Sequence, residues 1–130
     1  MPNKIHAKEW LAYAQKDYDV ALVLEQSTWP KFIEAICYHC QQATEKALKA
    51  ILAYHDVKIR KIHEIDIILL QCQQYEPSIQ MDVRIADQLT RFGTLTRYPD
   101  NVNEWTEDDA RLALKYAKKT IQDVSEVLGI

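Results

Sequence analysis

A chain of 130 residues, 48% of them apolar, suits one domain with a substantial core and excludes a disordered segment. Its 16 Lys and Arg against 19 Asp and Glu give a net charge of −3 with no basic stripe, which excludes a general binder of duplex nucleic acid. No apolar run is long enough to span a bilayer and no signal-peptide pattern opens the chain, so a soluble cytoplasmic protein without membrane contact is expected.

Only two glycines and four prolines punctuate the chain, so long helices are expected. The first is predicted from about His6 to Gln26, with Trp10, Ala14, Ala21 and Leu24 at helical spacing and Lys16, Asp19 and Gln26 outside. Ser27-Thr28-Trp29-Pro30 breaks it, and Pro30 suits the first turn of the next helix. That second helix, about Lys31 to His55, is the cleanest. Phe32, Ile36, Cys40, Ala43, Ala47, Ala50 and Ile51 share one half of the wheel, and Glu34, Gln41, Gln42, Glu45, Lys46 and Lys49 the other. Cys37 and Cys40 have the spacing of half a zinc site, but no second ligand pair follows; with Cys72 they make an odd number and read as buried thiols.

A β-branched, basic connector, 57–62, leads to a third helix from about Glu64 to Tyr75, rich in Ile and Leu. The fourth is predicted from about Ile79 to Thr94, with Ile85, Ala86, Leu89 and Phe92 inward and Gly93 near its end. After a polar loop from Arg97 to Trp105, Thr106 reads as an N-cap followed by three acids. The last helix carries Ala110, Ala113, Leu114, Ala117, Ile121, Val124 and Leu128 on one stripe, and Gly129 is its stop. The expectation is a single domain over 1–130, an all-α up-and-down bundle of about five helices.

Few residues speak of chemistry. Asp17 falls inside the first helix's apolar stripe, where a carboxylate needs a cation or several donors. It reads first as a buried anchor bonded to a Tyr, Trp or Arg, and second as a site residue. Arg97 stands ahead of Tyr98-Pro99, a stiff dipeptide, and its planar fork suits either a phosphate or a bundle carboxylate such as Asp17 or Glu45. His63 precedes the third helix as a cap, a surface residue or a site base. His39 and Lys46 share an edge of the second helix's polar side with Gln42. Tyr38 and Leu52, on that same side, would suit a two-fold contact.

Taken in order, these pieces resemble the HEPN domain (higher eukaryotes and prokaryotes nucleotide-binding). They are Trp10, Ala14, Asp17 and Ala21; Gln42-Ala43 with Glu45-Lys46-Ala47 and Lys49-Ala50; His63; Arg97-Tyr98-Pro99-Asp100; and an alanine-spaced last helix. The resemblance implies a helical homodimer, often paired with a minimal nucleotidyltransferase in toxin–antitoxin systems. Other members are metal-independent ribonucleases marked by an arginine followed, after four to six residues, by histidine. That signature is absent here. Arg97 has Val102, Asn103 and Glu104 at those distances, and the only histidine after any arginine is His63, two intervening residues past Arg60.

The expected function is therefore a non-catalytic module that binds a nucleotide or partners a nucleotidyltransferase. Arg97, Tyr98, Lys46 and His63 are its phosphate-binding candidates; no catalytic residue, metal or cofactor is assigned. Two alternatives stay open: a divergent ribonuclease toxin using Arg97 and His63, and a ligand-free interaction bundle.

Overall fold

A computed structural model of the chain describes residues 2–94 and 105–130. Five helices run in sequence, α1 (Lys4–Thr28), α2 (Ile33–Tyr54), α3 (Ile65–Gln73), α4 (Val83–Thr94) and α5 (Glu107–Leu128), and no strand forms among the described residues. The all-α bundle expected from the apolar stripes is the observed fold. None of the described helices is long and apolar enough to cross a membrane.

Local chemistry sets the helix ends. Thr106 and Asp109 exchange side-chain and backbone bonds in a capping box at the start of α5, and Gly129 closes that helix at φ 67°. Two boundaries differ from the sequence expectation. Pro30 lies in a turn three residues before α2, after a cis Trp29–Pro30 bond, and not in the first helical turn. Helix α4 begins at Val83 because the Asp82 carboxylate accepts the Arg84 backbone N–H at 2.8 Å and caps it there. Ile79 is buried ahead of it, as part of the loop.

Helix α2 contacts all four others; α1 and α5 also pack on each other, as do α3 and α4. Ala43, Ala47 and Ala50 are fully buried and let neighbouring helices approach closely. Leu48, Ile51, Ile65, Ile68, Leu89 and Phe92 fill the space between, each contributing about 1.5–3 kcal/mol on burial. Cys37, Cys40 and Cys72 are free and buried. Burial pushes the thiols of Cys37 and Cys72 up to about 12, so they serve as small apolar groups and not as nucleophiles.

In one respect α2 departs from its wheel: its polar half is not an outer face. Gln41, Glu45 and Lys49 are buried, and so is Leu52, at 2% exposure. Trp10 of α1 lies against Lys49, His63 just after the connector against Glu45, and Gly93 of α4 against Gln41. The exposed pair Tyr38 and Leu52 expected from the sequence thus loses Leu52 altogether, and Tyr38 is half-buried.

Candidate functional site

Two carboxylates organise the polar side of α2, each holding one lysine and one histidine. Asp17, on α1, accepts from Lys46 Nζ at 2.6 Å and from His39 Nδ1 at 3.0 Å, both on α2. The side chain of Asp17 keeps 14% of its surface, that of Lys46 27% and that of His39 33%, so the cluster sits at the boundary of the core. Burial by itself would raise the Asp17 carboxyl, but the hydrogen bonds and charges of His39 and Lys46 outweigh it. The group is held below the usual carboxylate range.

Glu45 is deeper, its side chain 5% exposed. It accepts from Lys49 Nζ at 2.9 Å, His63 Nδ1 at 3.1 Å and Gln41 Nε2 at 3.2 Å. Gln41 also donates to the His63 carbonyl at 3.3 Å, and its own carbonyl accepts from Gln42 Nε2 at 2.7 Å. The result is a connected chain of polar groups running from Gln42 to Lys49 under the connector. No buried side-chain polar atom among the described residues is left without a partner.

His63 differs from the rest of this network in its exposure. Its side chain keeps 61% of its surface while Nδ1 is anchored on the buried Glu45. A carboxylate on Nδ1 fixes the ring's orientation and leaves Nε2 as the outward ring nitrogen. Such an imidazole can donate to a phosphate when protonated, or accept a proton when neutral.

Of the sequence candidates, the structure brings His39, Lys46 and Asp17 together and sets His63 beside Glu45. Among the described residues the partners of Asp17 are Lys46 and His39 and not the expected Tyr, Trp or Arg; the pairing with Arg97 falls on a residue outside them. His63 is not a helix cap: its imidazole turns back to α2, and its N–H donates to the Glu64 side chain. Arg97 and Tyr98 lie outside the described residues. Glu45, Gln41 and Lys49, which the wheel set on the polar half of α2, are buried members of the network. Among the described residues, no three His, Cys, Asp or Glu side chains gather as a metal site requires.

This arrangement can be set beside known proteins. The sequence profile of the HEPN domain matches residues 7–127. A Methanocaldococcus jannaschii protein named "Putative toxin MJ1304" is 26% identical over 145 aligned positions, covering 97% of this chain and 90% of that one. The crystal structure of TT1696 from Thermus thermophilus superposes with a TM-score of 0.76 at 25% identity, covering 94% of this chain and 98% of the other. That of ST0689, described as an archaeal HEPN homologue, gives 0.66 at 21% identity over 93% and 96%. With a profile match across nearly the whole bundle, and five helices in the order described above, the chain belongs to the HEPN family.

Proposed function

We propose that this HEPN module binds a nucleotide or phosphate without efficient RNA cleavage, as a homodimer paired with a minimal nucleotidyltransferase in a toxin–antitoxin-like system. The observation that carries the reading is His63, an exposed imidazole whose Nδ1 is fixed by a buried carboxylate. Beside Glu45 in sequence, Lys46 is held half-exposed by Asp17. Pre-positioned donors of this kind, an imidazole and an ammonium, suit an anionic oxygen. Because Lys46 shares its charge with Asp17, affinity is modest. Arg97 and Tyr98 complete the proposed set, Arg97 through its planar fork. The toxin–antitoxin context draws on the name of the Methanocaldococcus relative.

Titration calorimetry with ATP and GTP tests the reading. Arg97→Ala should weaken binding roughly tenfold, about 1.4 kcal/mol, and more than Lys58→Ala, a connector cation of equal charge. Light scattering should give twice the 15.2 kDa monomer mass. No heat from either nucleotide would leave the interaction bundle as the reading.

One observation favours a second reading, the divergent ribonuclease toxin. A histidine oriented by a carboxylate is a recognised arrangement for a general base, and Glu45–His63 has it. RNA cleavage by the purified protein, abolished in His63→Ala, would decide for this second reading.

A further inference from the structure

Tyr13 lies on the outer side of α1 with 57% of its surface exposed. On the same helix Tyr18 is buried at 9% and Trp10 packs against the core. Two ammonium groups stand against the Tyr13 ring, Lys16 Nζ at 5.3 Å from its centroid and Lys46 Nζ at 6.0 Å. Lys46 reaches it from α2 and is held from its other side by Asp17. Lys16 makes no ion pair among the described residues. Among the described residues, Asp17 on Lys46 is the one carboxylate paired with either lysine.

We infer that Tyr13 is a stacking platform for a nucleobase whose phosphate is met by Lys16 and Lys46. The inference rests on the nucleotide reading above and extends that site across α1. A flat ring at the surface offers any base a face on which to stack, and an adjoining unpaired ammonium offers its phosphate a counter-charge. Tyr13 keeps 57% of its surface, and the flexible Lys16 stem can turn outward from the ring to follow a phosphate. Glu9, one helical turn before Tyr13 and exposed, repels an anion at that end. The phosphate therefore belongs at the Lys16 end, and the base over the ring.

The shared chemistry is a phosphorylated nucleoside, which a free nucleotide or a single-stranded RNA can supply. Calorimetry on the full chain would compare AMP, ribose 5-phosphate and a short oligoadenylate, with wild type, Tyr13→Ala and Tyr13→Phe. AMP should bind wild type more tightly than ribose 5-phosphate. Tyr13→Ala should lose that advantage, about five- to hundredfold for one stacked base, and leave ribose 5-phosphate unchanged. Tyr13→Phe should retain it. Binding of oligoadenylate but not AMP, with the same loss in Tyr13→Ala, identifies the strand as the source. Tyr13→Ala binding both adenine ligands like wild type, while His63→Ala weakens them, overturns the platform and leaves the nucleotide reading intact. No binding of any of the three ligands to wild type overturns both. Tyr13 is exposed, so an unchanged melting curve for Tyr13→Ala confirms that a loss is not misfolding.

Discussion

At Asp17, burial and pairing act in opposite directions on one carboxyl, and the lowered pKa says that pairing wins. A group whose folded pKa is depressed adds stability above its unfolded value, here near 3.8, and loses it as pH falls through and below that value. Asp17→Asn should therefore melt lower than wild type at pH 7, and the difference should close as the pH is brought toward 3. Hydrogen bonds to charged groups contribute about 1.5–3 kcal/mol, less than the roughly 3–5 kcal/mol of a fully buried pair. The 14% exposure of the side chain favours the lower figure. Thermal melts of both proteins across pH 3–7 check the sign. A gap that stays constant with pH would mean that Asp17 acts through packing and not through its charge. The position was legible from the sequence because a lone acid on the stripe of Trp10, Ala14, Ala21 and Leu24 is costly. Its partners were not, since Lys46 and His39 come from another helix and no local pattern announces them.

Helix α2 shows where periodicity stops being informative. Its apolar stripe was plain, and Ala43, Ala47, Ala50 and Ile51 are all fully buried. The opposite half read as solvated because Gln41, Glu45 and Lys49 are polar, whereas contacts from 10, 63 and 93 bury them. Leu52, standing among these polar residues, was the sign that this side is covered too. Gly93 is the other. A Cβ there would lie 2.6 Å from the Gln41 amide, whose bonds to Glu45, Gln42 and the His63 carbonyl hold it in place. In a helix, Gly→Ala ordinarily stabilises by up to about 1 kcal/mol. Overpacking costs typically about 1–3 kcal/mol, and displaced buried hydrogen bonds add to it. Gly93→Ala should thus destabilise, and denaturant unfolding should show a lower midpoint. If the midpoint rises, Gln41 moves without loss and the network is looser than its geometry implies.

For the molecule as a whole, the composition, the apolar stripes and the Ile- and Leu-rich third segment were enough to give the bundle, while the site depended on segments far apart in sequence. Asp17 meets His39, and Glu45 meets His63, only because α1 and the segment before α3 flank α2. The bundle is built as two helix pairs, α1 with α5 and α3 with α4, gathered on one rod, with Gln88 of α4 bonded directly to Asp109 of α5 at 2.7 Å. This has a consequence for amide hydrogen exchange. If one pair opens at the cost of the Gln88–Asp109 bond, the other still covers α2, so α2 is expected to lose all four neighbours only on complete unfolding. The backbone amides between Ala43 and Ile51 should therefore exchange only through complete unfolding, at a free energy equal to that of the whole domain. Those of α3 and α4 should exchange sooner, through openings that expose the shorter pair alone. Added denaturant should merge the two classes into one.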